Sequence, residues 1–444
     1  MTPEYIKEYL VGNEILGFSL KTGITPLDDE EVEKVRRLSN KERALRFNGF
    51  LVTDENGDIA FEDRKRYSQH FFPLSVMDYV KALYNFERSN QPVPILSIDS
   101  HDVLGCDFRC QDCLSAHGTN FPINEFPKDN FDMDLDTYKG ILKSIASHSK
   151  RRGFTGVRFE QSGEGNPDYY EYRKQILEYA KELQMQSVYV STGSKIDDFL
   201  MDVLADDSSF VRISFPGIGE SYEHYSGQRK FTYDNALRNL EKMVKRRERA
   251  GRARELMIGA RVALREEHRI SYFNFAETLK NMGINSLQIV KMLVPEGKKP
   301  SDFQLDSSDK LDLERAANLD DKEFNVNLPH RLDSMVYSRE IENRSEFPAQ
   351  CFSAMFQPVL TGRSLFVCTI SDIMYNHNLR LGTFENKEGE LERFLSPENV
   401  QRVTEKIPAE CKCCSNIYDN LLLFSLQKLF RKKPGKLNFY EIIK

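Results

Sequence analysis

The feature that most constrains this chain is an alternation of strand-like and helix-like segments between residues 93 and 294. Short apolar runs at Val93–Ile98, Gly156–Glu160, Ser187–Ser191, Phe210–Phe215, Met257–Leu264 and Leu287–Leu293 read as strands. Between them lie helix-length stretches with apolar residues at three- and four-residue spacing. Asp134–Ser147 aligns Leu135, Tyr138, Leu142 and Ile145. Asp168–Leu183 aligns Ile176, Leu177, Tyr179, Ala180 and Leu183. Tyr233–Arg247 aligns Ala236, Leu237, Leu240, Met243 and Val244, and Tyr272–Met282 is the last. Strands that return through helices lie parallel, with the helices outside the sheet. The expected class is therefore α/β. Six units are too few to close an eightfold barrel, so the expected architecture is a partial (β/α)6 TIM-like barrel. In barrels of this type the chemistry sits at the C-terminal ends of the strands.

The flanks have a different texture. Residues 1–92 read as an N-terminal α+β extension, with a charged, helix-like stretch at Leu27–Arg46. A hairpin follows at Gly49–Glu62, turning at Glu55-Asn56-Gly57-Asp58. Residues 93–294 form the expected barrel, and 295–350 a polar linker with some helix. Residues 351–444 are cysteine-bearing and irregular, as a segment folded around a metal would be. They end in an apolar helix at Leu421–Phe430 and a basic stretch at Arg431-Lys432-Lys433.

Charge excludes some partners. With 62 basic against 68 acidic residues the net charge is −6, and no overall positive field attracts nucleic acid. No apolar stretch is long enough to span a bilayer, and no basic start followed by an apolar run marks a secretory signal. The expected location is the cytoplasm, where cysteines are more often metal ligands or redox groups than disulfides. The eight cysteines are unevenly placed: three lie within Cys106–Cys113 and five after residue 350.

The first group, Cys106, Cys110 and Cys113, has the spacing C-x3-C-x2-C and follows the first strand. Three thiolates on one short loop can hold three irons of a cubane and leave the fourth without a protein ligand. A zinc knuckle built on Cys110 and Cys113 is the structural alternative. The spacing and its place after a strand resemble the radical S-adenosylmethionine (SAM) superfamily. The resemblance runs from Val93 to Asn420. It implies a [4Fe–4S] cluster whose open iron chelates SAM and a 5′-deoxyadenosyl radical that abstracts hydrogen from substrate. Where the family usually has an aromatic residue before the third cysteine, this chain has Asp112.

Further positions resemble SAM-contacting segments of the same family. Ser162-Gly163-Glu164 resembles its Gly-Gly-Glu run, with Ser162 in place of the first glycine. Ser191 and Thr192 resemble the ribose-contacting segment, Ser214 ends an Arg-x-Ser strand, and Arg261 resembles a partner for the methionine carboxylate. A turn with a helix cap, or ordinary structural polar contacts, are the alternatives at these places. Tyr222, His224 and Tyr225, after the fourth strand, either face substrate or pack a loop.

The late cysteines resemble the family's auxiliary-cluster extension in its short, twitch form; the longer SPASM form needs seven cysteines. Cys351, Cys368, Cys411 and Cys414 are then the ligands of one auxiliary [4Fe–4S] cluster, with structural zinc as the alternative. Cys413 is left over as a candidate hydrogen-atom donor. The expected activity is abstraction of hydrogen from a small polar biosynthetic substrate, such as an amino sugar or nucleoside, ending in oxidation, epimerisation or elimination. A maturase acting on a ribosomally made peptide is the alternative substrate class. A zinc-stabilised binding protein is the non-enzymatic one. A reducing donor such as flavodoxin or ferredoxin is the expected partner.

Overall fold

The computed structural model describes residues 92–101, 133–264, 272–293, 304–328 and 351–407, apart from 155, 163–164, 228–231, 254, 322, 352–354, 368–378 and 386. It also describes Cys106, Phe108, Cys110 and a few short pieces before residue 92 and at 336–337.

The alternation of strand and helix is present. The elements run β1 (Ser97–His101), α1 (Leu135–Arg151), β2 (Arg158–Ser162), α2 (Arg173–Glu182), β3 (Gln186–Ser191), α3 (Asp198–Asp207) and β4 (Phe210–Phe215). Then come α4 (Glu220–Ser226), α5 (Thr232–Arg249), β5 (Met257–Ala263), α6 (Tyr272–Asn281), β6 (Ser286–Val290), α7 (Ser307–Ala317) and β7 (Asn325–Asn327). The C-terminal part adds β8 (Val359–Thr361), β9 (Ser364–Phe366), β10 (Arg380–Thr383), α8 (Glu390–Phe394) and α9 (Pro397–Thr404).

All ten strands belong to one sheet in the order β7-β6-β5-β4-β3-β2-β1-β8-β9-β10. The run from β7 to β8 is parallel, and β9 and β10 continue it antiparallel. The parallel part thus has eight strands among the described residues, two more than the sequence pattern shows. The added ones, β7 and β8, are three residues each, too short for an alternation to register. β7 and α7 fall in the segment expected as a linker, and β8 to α9 in the segment expected to carry an auxiliary cluster. The terminal strands β7 and β10 do not pair with each other, so the sheet stays open. Before the barrel, Val52–Thr53 pairs antiparallel with Ile59–Ala60, as the hairpin reading expects. The apolar helix expected at 421–430 lies outside the described residues.

The helices bury the faces their spacing predicts. α1 packs Tyr138, Ile141, Leu142 and Ile145 inward, and α5 packs Ala236, Leu240, Met243 and Val244. α3, which carries a run of acids and was not expected from spacing, buries Leu200, Met201 and Leu204. Asp134 and Asp197 cap α1 and α3 by accepting from the Thr137 and Leu200 backbone N–H groups at 2.9 and 2.6 Å. One cluster joins β1, β2, α1 and the C-terminal elements; a second joins β3–β6 to α3–α7. Hydrophobic burial against these outer helices holds the sheet. Among the described residues no helix is long and apolar enough to cross a membrane.

Candidate active site at the strand ends

The two faces of the parallel strands differ in chemistry. Ile98, Phe159, Val211, Ile213, Phe215, Ile258, Ala260 and Val262 sit in the clusters shared with the helices. Because successive side chains point to opposite faces, Asp99, Glu160, Arg212, Ser214, Gly259 and Arg261 share the inner face. Its bottom is apolar: Val188, Phe210 and Met257, at or near the strand starts, pack together with Val190. Beside this floor β1 and β2 carry charge along their length, at Asp99, His101, Arg158 and Glu160, while β4 and β5 carry it above the floor, at Arg212 and Arg261.

Strand register sets the layers. Asp99 lies opposite Glu160, and His101 opposite Ser162. Arg212 lies opposite Val190 on one side and Gly259 on the other. One layer higher, Ser214 lies opposite Arg261, and Arg261 opposite Gln288. Gly259 keeps this face open, since a Cβ there would meet the Ser286 hydroxyl at 2.6 Å and the Phe210 ring at 2.9 Å.

Most inner charges are paired. The Ser162 hydroxyl donates to the Asp99 carboxylate, and His101 Nε2 lies 3.5 Å from its other oxygen. Burial pushes the Asp99 carboxyl up, but His101, Ser162 and the nearby Arg158 outweigh it and hold it below the usual range. Arg158 donates to Glu160. Burial first, then the like charge of Arg261, pushes the Arg212 guanidinium down to about 10, against the pull of Glu160. It stays protonated at neutral pH.

The cysteine loop follows β1 and so begins at the C-terminal edge of this face. Cys106 is exposed and Cys110 half-buried, and both carry thiols. Between them Phe108 is buried and meets the Tyr222 ring edge-on at 5.8 Å. Tyr222 is itself fully buried and packs on Phe215 and Tyr233. Tyr222 is therefore a packing residue that anchors the loop over β4. The Phe108 N–H points at Cys106 Sγ at 3.4 Å, a contact that favours a thiolate. An exposed sulfur on an anchored loop, supported by a backbone donor, fits a residue that ligates iron. Cys113, Gly163 and Glu164 lie outside the described residues.

Of the other expected contacts, Ser162, Ser214 and Arg261 share the inner face. Ser191 is on the outer face instead. Its hydroxyl donates to the Asp168 carboxylate at 2.8 and 2.9 Å, where Tyr189 also donates at 2.8 Å. Burial pushes the Asp168 carboxyl up despite these donors. Thr192 accepts from Asn166 at 3.0 Å and shapes the turn after β3. Gly193 then adopts φ 73°, and a Cβ there would meet Ile213 at 2.8 Å. Cys351 is buried in the core beside Met355 and Phe356; Cys368, Cys411, Cys413 and Cys414 lie outside the described residues. The charged residues Asp99, His101, Arg158, Glu160 and Arg212 were not assigned site roles from the sequence. Their signal was a set of charged side chains at alternate positions within otherwise apolar strands.

No protein-family model matches the chain, and no curated protein is similar to it. Solved structures do align with it. Streptococcus suis SuiB bound to S-adenosylmethionine aligns at a TM-score of 0.50 and 13% identity, covering 84% of this chain and 79% of SuiB. anSMEcpe with bound AdoMet and a Cp18Cys peptide aligns at 0.46 and 16% identity, covering 79% of this chain and 98% of the other. BtrN in complex with AdoMet and 2-DOIA aligns at 0.37 and 12%, covering 73% of this chain and 94% of the other. The chain therefore shares the α/β fold of SuiB. At 13% identity the likeness to SuiB is one of fold.

Proposed function

We propose that this protein is a radical SAM enzyme whose cluster is held by Cys106, Cys110 and Cys113. The observation that supports the reading is positional: Cys106 and Cys110 come shortly after β1 in the chain, and β1 ends on the inner-face residue His101, beside Asp99. When bound, the cluster supplies the electron that cleaves SAM and so provides the hydrogen-abstracting radical.

The chain's own residues bind, orient and exclude water. Phe108 and Tyr222 fix the loop, and the Phe108 N–H supports the Cys106 thiolate. Ser162, Ser214 and Arg261 offer polar contacts to SAM, with Gly163 and Glu164 extending the first of these. Ser191 acts by ordering the β3 turn through Asp168. The apolar floor of Val188, Phe210 and Met257 closes the lower end to water.

The density of charge on the inner face supports a small polar substrate. A ribosomally made peptide is the alternative, and SuiB has been solved with its precursor peptide SuiA. Cys351, Cys368, Cys411 and Cys414 are proposed to hold an auxiliary cluster, with Cys413 as a hydrogen donor and a flavodoxin or ferredoxin as reductant. The outcome is an oxidation, epimerisation or elimination.

Anaerobic reconstitution tests the reading. Iron and sulfide are counted for the wild type and a Cys106/Cys110/Cys113→Ala variant, and 5′-deoxyadenosine is measured after reduction with SAM. About eight irons falling to about four, with loss of 5′-deoxyadenosine, is expected for two cubane clusters. Zinc without iron and no 5′-deoxyadenosine would sink it and return the cysteines to a structural role.

A further inference from the structure

Arg212 differs from every other charge on the inner face. It is 7% exposed, and its Nε makes no hydrogen bond. Among the described residues no carboxylate forms an ion pair with it. The acids around it are engaged elsewhere, Glu160 by Arg158, and Asp99 by His101 and Ser162. Its cationic neighbours, Arg261 and Arg158, oppose its charge. Across the strands it faces Val190 and Gly259, neither of which offers a side-chain acceptor. A buried guanidinium without a counterion is costly to fold, and its planar fork suits a bidentate oxyanion.

Depth separates this group from the strand ends. Arg212 is two residues below Ser214, about 7 Å deeper along β4 than the layer that holds Arg261. On its own strand the next inner-face residue below it is Phe210, which packs with Val188 and Met257, and across the sheet the Phe210 row continues through Val188 to Glu160 and Asp99, the two acids already engaged. A molecule contacting Arg212 therefore sits lower on this face than one held between the cysteine loop and Arg261.

We propose that Arg212 receives an anionic oxygen group of the substrate, a carboxylate or phosphate, so that the substrate is an anionic small molecule. The inference rests on the function proposed above, which assigns the upper layer to SAM. Where SAM's own carboxylate is the anion bound at Arg212, the same chemistry comes from the other source, and the experiment separates the two.

The full chain, reconstituted anaerobically, is melted with inorganic phosphate, with malonate and with chloride at matched ionic strength. The wild type, Arg212→Met and Arg212→Lys are compared, and SAM affinity is measured by equilibrium dialysis. Expected is a rise in wild-type melting temperature of about 2 °C or more with phosphate or malonate but not chloride. Arg212→Met loses this response and melts no lower than the wild type without added anion, because an uncompensated buried charge has gone. Arg212→Lys keeps part of the response, and both variants keep SAM affinity within about twofold.

Two results overturn the proposal. One is no anion response in the wild type together with a lower melting temperature for Arg212→Met, which makes the arginine structural. The other is SAM binding weakened by about tenfold or more along with the lost response, which gives the guanidinium to SAM. A wild type that binds neither iron nor SAM, yet keeps an Arg212-dependent anion response, sinks the radical SAM reading and leaves the receptor standing.

Discussion

The outer and inner faces of the same strands meet the cost of burial in opposite ways. On the outer face the strand residues are apolar or uncharged, some with a buried oxygen that makes no hydrogen bond among the described residues, as at Ser187 and Gln161, and charge that comes against them is hydrogen-bonded. Asp168, the clearest case, receives Ser191 and Tyr189 hydroxyls at 2.8–2.9 Å inside an apolar surround. On the inner face charge is the rule, some pairs are tight, and Arg212 has no partner among the described residues. Residues one position apart on β4, such as Arg212 and Ile213, thus serve different ends. The outer face supplies stability through packed apolar area, whereas the inner one holds charge that packing does not need.

The largest expected effect lies on the outer face. Phe159 is fully buried, and Phe159→Ala should cost about 3–5 kcal/mol in urea unfolding. Where the protein still folds, it should retain its iron per chain. A loss of iron without a loss of stability would break the division between the faces. Gly193→Ala comes next. With φ at 73° and Ile213 at 2.8 Å from an added Cβ, it should cost about 1–3 kcal/mol by the same measurement.

Phe108→Ala sharpens the comparison at the boundary. The side chain belongs to the outer cluster, but its backbone sits between two cysteines. Iron retained after reconstitution and desalting should fall proportionally more than the unfolding free energy. The reverse order would make Phe108 a core residue only.

The smallest effect is a pH slope. Burial pushes the His148 imidazole down, against its bond to the Val93 carbonyl. The folded pKa therefore lies below the unfolded 6.5. As pH falls below 6.5 the unfolded chain binds a proton that the folded one refuses, and stability drops toward the folded pKa. His148→Gln removes this group's contribution, so wild type should lose stability relative to the variant on acidification. Parallel melting curves at each pH would show the slope lies elsewhere.

Outer-face residues were also what made the fold legible. The strand readings at Phe210–Phe215 and Met257–Leu264 match β4 and β5 almost residue for residue, because buried outer positions carry the apolar signal. β1 was read four residues early: Ser97-Ile98-Asp99-Ser100-His101 is a strand whose inner face is polar, and polarity hides an apolar pattern. β7 and β8 were missed for their length, and α3 for its acids.

The sequence by itself determined the parallel α/β class, the helix faces and the place of the cysteine loop after β1. These follow from local periodicity and spacing, which a chain carries in its order of residues. Only the tertiary structure decided that Ser191 turns outward to Asp168, that Phe108 and Tyr222 pin the loop, and that Arg212 is buried among charges already paired. Those facts depend on which strands lie side by side and in what register. A one-residue change of register would exchange the two faces, and the register is fixed by contacts between residues far apart in the chain.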